Sequence, residues 1–210
     1  MSTFIGRASL AGYRTLKRLR DRVFTWTCGG AFHGVGKGSL LELPIRLAGE
    51  AHIEIGADVF IGSHSWLQVL SSGEPRQAPV IAIGDGSSIA GCCTVTAMQS
   101  VVIEPRVLMA RNVYISDHIH AHESGEVAIL DQGIARVAPV RICEGAWLGQ
   151  GVVICPGVTV GKNAVVGANS VVRDDIPDHC VAAGAPAKVI RRTQVDPQHV
   201  GAVSSSSPRH

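Results

Sequence analysis

Aliphatic residues recur at every sixth position in the last third of this 210-residue chain. An α-helix repeats its faces about every 3.6 residues and a flat β-strand every second residue, so neither element produces this period. A three-sided coil does, because a short strand of about six residues on each face directs one side chain inward at a fixed height. The positions are Ile142, Leu148, Ile154, Val160, Val166 and Val172.

The same period occurs earlier in the chain, and side chains that suit a narrow interior accompany it. Small or β-branched residues lie four places after each aliphatic position, at Ala146, Val152, Val158, Ala164 and Ser170. The earlier series are Ile55, Ile61 and Leu67; Ile83, Ile89 and Val95; and Ile103, Met109 and Ile115. The last two differ in phase by two residues, which predicts a longer corner between Gln99 and Val102. The fold predicted is an all-β solenoid, a parallel β-helix of hexapeptide repeats.

The period divides the chain into three parts. Residues 1–50 lack it and are predicted to form a helical and irregular segment, and residues 51–191 the solenoid domain. An interruption at residues 121–138 is predicted to be an extruded loop, a kind of segment that commonly carries specificity. Residues 192–210, which include four consecutive serines, are predicted to be a disordered tail.

Residues 10–24 have the pattern of an amphipathic helix, with apolar residues at three-residue steps among basic ones. Two partners are open for its apolar side: this chain or a neighbouring subunit, or peripheral contact with an anionic membrane surface. Valines on the outer side of the predicted strands favour burial against another subunit. A homotrimer with active sites between subunits is therefore predicted, because flat faces pair around one closed axis.

Composition and charge exclude several classes of function. A net charge of +2 argues against nucleic acid as the main partner. No apolar run approaches the ~18 residues that span a bilayer, and the N-terminus lacks the pattern of a signal peptide. We therefore expect a cytoplasmic protein, with the inner membrane face open as a location through the helix. The six cysteines form no CxxC pair, which predicts reduced packing cysteines and no disulfide.

A histidine cluster lies immediately before the extruded loop, in the run VYISDHIHAH of residues 113–122. If the segment is extended, His118, His120 and His122 share one outward side and Ile119 faces the other. Imidazole titrates near neutral pH and takes a hydroxyl proton without a large perturbation, so a general base is favoured. Metal binding and a surface cluster without a role remain open.

Two stretches resemble one enzyme family. Residues 139–191, which include AAGAPAKVI near their end, are similar to the C-terminal signature of hexapeptide-repeat O-acetyltransferases such as the maltose and galactoside acetyltransferases. The phrase NVYISDHIH resembles the branch that acetylates sugars during lipopolysaccharide, capsule or exopolysaccharide assembly. The resemblance implies a left-handed β-helix and transfer of an acetyl group from acetyl-CoA to a sugar or sugar-lipid hydroxyl, with no metal.

The resemblance also implies roles for individual residues. The family's base aligns with His120, with His118 as the second choice and Asp117 or Glu123 as the group that orients the imidazole. A backbone N–H near Gly149 would stabilise the oxyanion. The family's acetyl-CoA contacts align with Gln150, Ala168, Arg173, Lys188 and Arg191.

Three other functions remain open for the same solenoid. The first is transfer to the amino group of an aminosugar nucleotide. The second is a zinc enzyme similar to carbonic anhydrase, in which histidines of two subunits hold the metal. The third is a non-catalytic scaffold attached to a membrane by its basic helix. Metal analysis would test the second, and acyl transfer assays the others.

Overall fold

A computed structural model describes residues 2–70 and 78–193 of the chain. Successive strands of the coil enter three sheets in turn and pair in parallel, so each sheet contains every third strand of the coil; an antiparallel pair of strands at the C-terminal end completes one of the sheets. We call them sheets A, B and C in the order in which the chain visits them. The prediction of a mostly β fold built on parallel strands is confirmed.

The strand bounds are short, as a coil with tight corners requires. Sheet A contains β1 Gly34–Val35, β4 Ile53–Ile55, β7 Ile81–Ile83, β10 Val101–Ile103, β15 Val140–Ile142 and β18 Thr159–Val160. Sheet B contains β2 Leu40–Leu41, β5 Phe60–Ile61, β8 Ser88–Ile89, β11 Leu108–Met109, β16 Trp147–Leu148, β19 Val165–Val166, β21 Cys180–Gly184 and β22 Ala187–Arg192. Sheet C contains β3 Arg46–Ala48, β6 Trp66–Val69, β9 Thr94–Ala97, β12 Tyr114–Ser116, β17 Val153–Ile154 and β20 Val171–Val172.

The core is the interior of the coil. Every residue of the six-residue series is buried, and Leu148 pairs with Val166 one coil of 18 residues later. Burying a side chain of this size contributes about 1.5–3 kcal/mol, so the repeated aliphatic positions supply the main stabilisation. Ile83 instead pairs with Ile103, 20 residues later, which confirms the longer corner predicted near Gln99.

The solenoid begins earlier than predicted. Paired strands start with β1, which pairs with β4, so the coil extends 17 residues N-terminal to the predicted boundary at residue 51. The six-residue spacing does continue into this first coil, at Val35, Leu41 and Leu47, which pair with Ile55, Ile61 and Leu67. The coil was missed because the step from Leu47 to Ile55 is eight residues, which interrupts the period. Leu41 is its one side chain that is almost completely buried.

Helix α1 spans Ser2–Cys28 and packs against the first coil through its polar side. Asp21 and Thr25 are buried there, and the Thr25 hydroxyl accepts a hydrogen bond from the Leu41 amide at 3.0 Å. The five apolar residues of the predicted pattern, Leu10, Tyr13, Leu16, Leu19 and Val23, are all exposed and do not cover this chain's coil. They do not share one side of the helix: at about 100° per residue, Leu19 and Val23 lie opposite Asp21, whereas Leu10 lies on the same side as Asp21. None of the helices within residues 2–70 and 78–193 is both long and apolar enough to cross a membrane.

The chain leaves the coil after β12 and returns at β15. In between, β13 Ile119–His120 and β14 Ile134–Ala135 form an antiparallel hairpin around the short helix α2 Ile129–Gln132. Two 3₁₀ turns, Gly29–Ala31 and Glu50–His52, complete the described elements. Most of the predicted tail, residues 194–210, lies outside the described residues.

Candidate functional site

The histidine segment does not form one continuous strand. Strand β12 ends at Ser116, and the chain bends at Asp117. The Ser116 hydroxyl fixes this bend, since it donates to the His118 carbonyl at 2.7 Å and accepts from the His118 amide at 3.2 Å. The bend resets the alternation of side chains. The predicted shared outward face is therefore wrong: His118 is 8% exposed, whereas His120 and His122 are exposed.

Asp117 is completely buried and holds the ring of His118. Its Oδ1 lies 2.8 Å from the His118 Nδ1. The carboxylate also accepts the backbone N–H groups of Met98 at 2.9 Å, Gln99 at 2.7 Å and Ser100 at 2.8 Å. These three residues form the longer corner that follows β9. The additional residues of that corner therefore make a pocket of amide groups for one carboxylate.

The returning loop closes this arrangement from the other side. The Ala138 amide donates to the Asp117 carbonyl at 2.8 Å, and the Val140 amide donates to the Ser100 carbonyl at 3.0 Å. The hairpin is held by the Ala121 amide, which donates to the Gly133 carbonyl at 3.0 Å. The Asp117–His118 pair is thus fixed by backbone hydrogen bonds from two neighbouring coils.

The His118 ring is oriented for proton transfer. Because a carboxylate accepts hydrogen bonds, the proton of the neutral imidazole is on Nδ1, which donates a hydrogen bond to Asp117. The lone pair is then on Nε2. No hydrogen bond to Nε2 occurs within the described part of the chain. A buried carboxylate that orients a histidine in this way is the arrangement of general-base catalysis.

The other two histidines are not held in this manner. Within residues 2–70 and 78–193, the His120 ring has no hydrogen-bond partner. His122 Nε2 lies 4.0 Å from Glu123, a contact between two exposed side chains. No three His, Cys, Asp or Glu side chains of the described residues lie close enough together to hold a metal ion. The three histidines thus differ in burial and in hydrogen bonding: His118 is buried and held by a carboxylate, whereas His120 and His122 are exposed and are not.

The predicted donor contacts Gln150 and Ala168 stack on adjacent coils, as the 18-residue spacing predicts. Both lie at the corner between sheets B and C, where the Asn169 amide donates to the Gln150 carbonyl at 2.7 Å. The predicted oxyanion role of Gly149 does not fit this corner. Its N–H already donates to the Val166 carbonyl at 2.8 Å, so it is occupied within the coil.

The predicted cationic contacts are exposed. Arg173 follows β20 at the corner between sheets C and A, the same edge as His118 and two coils further on. Lys188 and Arg191 lie on β22, and Lys188 Nζ is 3.4 Å from Asp174. An exposed pair of this kind contributes little, so the ammonium group remains available to an anionic ligand.

In one chain the predicted base and most of the donor contacts do not come together. His118 lies at the corner between sheets C and A, and Gln150 and Ala168 lie at the corner between sheets B and C. Sheet C separates the two edges. Sequence reasoning also missed Ser116 and the amides of Met98–Ser100, although the two-residue change of phase was the visible signal for that corner.

Comparison with known proteins identifies proteins that are similar to this chain. Residues 139–174 match the bacterial transferase hexapeptide family (six repeats). The chain is 30% identical over 194 residues to the Escherichia coli K12 protein WbbJ, which is named for O-acetyl transfer in lipopolysaccharide biosynthesis. That match covers 89% of this chain and 91% of WbbJ. Several other curated acetyltransferases match over only about half of their own length.

Solved structures agree with the fold. A galactoside acetyltransferase in complex with coenzyme A superposes with a TM-score of 0.58 at 27% identity, covering 86% of this chain and 82% of that one. An N-acyltransferase from Bacillus cereus, AntD, in complex with dTDP and coenzyme A, superposes with a TM-score of 0.68 at 19% identity. It covers 80% of this chain and 88% of AntD, and at this identity the likeness concerns the fold alone.

Proposed function

The chain belongs to the hexapeptide-repeat transferase family, and from this premise we propose that it transfers an acetyl group from acetyl-CoA to a hydroxyl group of a sugar. One observation carries the proposal for the chemistry: the buried Asp117–His118 pair, in which the imidazole is oriented and its Nε2 is left with a lone pair. We therefore assign the base to His118, the second choice of the sequence analysis, rather than to His120.

The residues divide the reaction into two proton transfers. His118 Nε2 takes the proton of the acceptor hydroxyl as its oxygen attacks the thioester carbonyl. Asp117 stabilises the imidazolium that forms and keeps Nδ1 protonated. His118 then returns the proton to the departing sulfur as the carbon–sulfur bond breaks, which yields an acetyl ester and free coenzyme A. No acyl-enzyme is needed, because a single oriented base serves both steps.

The acyl donor is proposed to lie along the edge formed by Gln150 and Ala168. Two stacked corner residues provide an extended path for a pantetheine arm, and the cations Lys188 and Arg191 suit the phosphates of coenzyme A. Because that edge and His118 lie on opposite sides of sheet C, we propose that a second copy of the chain brings them together. This accords with the predicted homotrimer. Arg173 lies at the other edge of sheet C, the edge of His118, so it would contact the donor from the copy that supplies the base. Coenzyme A in the galactoside acetyltransferase supports the choice of donor.

A sugar hydroxyl is favoured over an amine as acceptor. Hydroxyl groups ionise far above neutral pH, so an oriented base contributes strongly to their reaction, whereas a neutral amine already carries a nucleophilic lone pair. The name of WbbJ points to surface polysaccharide chemistry, which would place the enzyme on the cytoplasmic side. Transfer to an aminosugar nucleotide remains the alternative. A zinc site would need ligands from another copy, since the described histidines of one chain do not converge.

Acceptor profiling tests the proposal. The purified chain would be incubated with acetyl-CoA and a panel of hydroxyl and amino sugars, free and nucleotide-linked, with thiol release and product mass as readouts. We expect one acetyl group per product, removed by alkaline hydroxylamine as an oxygen ester is. A product that resists hydroxylamine would be an amide and would support the N-acetyltransferase alternative. If none of the hydroxyl or amino sugars in the panel leads to thiol release, the sugar assignment is contradicted.

A further inference from the structure

Helix α1 carries an apolar stripe that neither the fold nor the proposed reaction uses. We define the stripe as Ile5, Leu16, Leu19, Val23 and Trp26. Each of these side chains is between 50% and 82% exposed. The last four follow one another at spacings of three and four residues, so they form one continuous line along the helix. Large apolar side chains exposed in a contiguous line mark an interaction surface.

The coil fixes the direction in which this stripe points. On the opposite side of α1, Lys17 pairs with Glu42, and the Asp21 carboxylate accepts from the Leu43 amide at 3.3 Å. At about 100° per residue, every stripe residue lies roughly 140–160° around the helix axis from Asp21. The stripe therefore faces directly away from the solenoid. A flat surface could contact the whole stripe without touching the coil.

The charge of α1 indicates what that surface is. The helix contains six basic residues and a single acidic one, Asp21, which is buried. The basic residues are Arg7, Arg14, Lys17, Arg18, Arg20 and Arg22. Arg20 and Arg22 lie about 80° to either side of the centre of the stripe, at its two borders. The Arg20 guanidinium donates to Asp21 at 2.7 Å and to the Leu43 carbonyl at 3.0 Å, so it is turned toward the coil, and Arg22 is the border cation that faces a surface laid on the stripe. An apolar sector bordered by cations is the pattern of a helix that lies in the interface of an anionic bilayer.

We propose that α1 binds anionic lipid membranes through the stripe and holds the solenoid at the bilayer surface. The helix would lie in the interfacial plane, since it is not apolar enough to span. The stripe would insert at the boundary between headgroups and acyl chains, and Arg22 at its border would contact lipid phosphates.

A second copy of α1 fits the stripe less well. Helices that pair through such a line are normally held by opposite charges on the flanking positions. Here the flanking charges are arginines, and the helix offers no exposed acid to pair with them. Two such helices side by side would bring cations together, whereas anionic headgroups neutralise them.

Vesicle co-sedimentation of the full chain tests the proposal. The probes are phosphatidylcholine vesicles with and without about 30% phosphatidylglycerol, at low and high NaCl. We expect binding to the anionic vesicles only, and a strong decrease at high salt. Replacing both stripe leucines, Leu16→Gln with Leu19→Gln, should weaken binding about ten-fold or more. Removing one border cation, Arg22→Gln, should weaken it roughly five-fold.

Leu10→Gln is the matched control. Leu10 is 55% exposed on the same helix, but it lies only about 20° from Asp21, on the side opposite the stripe. We expect it to bind vesicles like the wild type. The leucines are exposed, so unfolding midpoints of all variants should agree within error.

Three results would overturn the proposal. The first is absence of binding to anionic vesicles at low salt, and the second is an equal loss of vesicle binding in Leu10→Gln and in the stripe variant. The third is a change of oligomeric mass by light scattering in the stripe variant alone, which would make the stripe a contact between copies. Acetyl transfer to a water-soluble acceptor should be unchanged in these variants, so failure here is distinguishable from failure of the proposed reaction.

Discussion

The substitution Asp117→Asn tests the buried pair most sharply. One oxygen of the carboxylate becomes an NH₂ group, which donates hydrogen bonds rather than accepting them. If the new NH₂ replaces Oδ2, it faces the amides of Gln99 and Ser100. If it replaces Oδ1, it faces His118 Nδ1 and the amide of Met98. Either orientation sets the new NH₂ group against two N–H donors, although in the second the Met98 amide keeps Oδ2 as an acceptor at 3.1 Å.

The magnitude follows from these bonds. A hydrogen bond to a charged group contributes about 1.5–3 kcal/mol, and an unpaired buried donor has a similar cost, so we expect a loss of about 3–5 kcal/mol in the free energy of unfolding. Catalysis should fall further, because Nδ1 loses the acceptor that selects the useful tautomer. We expect kcat to decrease by about 10²–10⁴-fold, with little change in KM for acetyl-CoA.

Two assays measure the two effects separately. Urea unfolding followed by far-UV circular dichroism gives the free energy of unfolding, and the release of coenzyme A thiol in the presence of acceptor gives kcat. Glu123→Gln is the matched control, since this carboxylate is exposed in the same segment beside His122. It should alter neither quantity. An Asp117→Asn protein that keeps the wild-type kcat, or that loses no stability, would refute the role given to the pair.

Three further predictions concern the coil and the donor. Gly149→Ala should destabilise the chain by about 1–3 kcal/mol in urea unfolding, because a Cβ there would lie 2.7 Å from the Ala168 nitrogen and 2.8 Å from the Val166 oxygen. Gly125→Ala, with nothing within 4 Å, should be neutral, and equal effects would contradict the close coil contact. Burial raises the pKa of the Cys93 thiol from 9.0 to about 11. The unfolded chain therefore releases this proton at lower pH, and the wild type should lose stability relative to Cys93→Ala between pH 9 and 11. A constant difference across that range would contradict the burial. Lys188→Ala should raise KM for acetyl-CoA several-fold without changing kcat in steady-state kinetics, and an unchanged KM would remove Lys188 from the donor site.

The solenoid was predictable because its signal is repeated. Each coil repeats the same requirement for an inward aliphatic residue, as at Leu148 and Val166, so chance matches average out over many coils. The first coil carries the same signal at Val35, Leu41 and Leu47, and it was missed because the period is interrupted before Ile55. The step from Leu47 to Ile55 is eight residues and contains the 3₁₀ turn Glu50–His52, so the two series differ in phase although their strands pair.

The site was predictable in its residue types but not in its geometry. Alternation along an extended strand placed all three histidines on one side, but a hydrogen bond from a serine side chain competes with the strand and bends it. Ser116 makes that bend, which buries His118 and exposes His120. The sequence left open whether the apolar residues of α1 pack on the chain itself. The first coil is contacted instead by Asp21 and Thr25, which accept backbone N–H groups of Leu43 and Leu41.

The turnover of His118→Ala and His120→Ala, compared under saturating acetyl-CoA and acceptor, tests most directly whether the buried imidazole is the base. Isothermal titration calorimetry would verify that both variants still bind coenzyme A, the product formed from the acetyl donor. We predict that His118→Ala lowers kcat by about 10²–10⁴-fold while His120→Ala stays within about three-fold of the wild type. A His120→Ala protein without turnover, beside an active His118→Ala protein, would contradict the account.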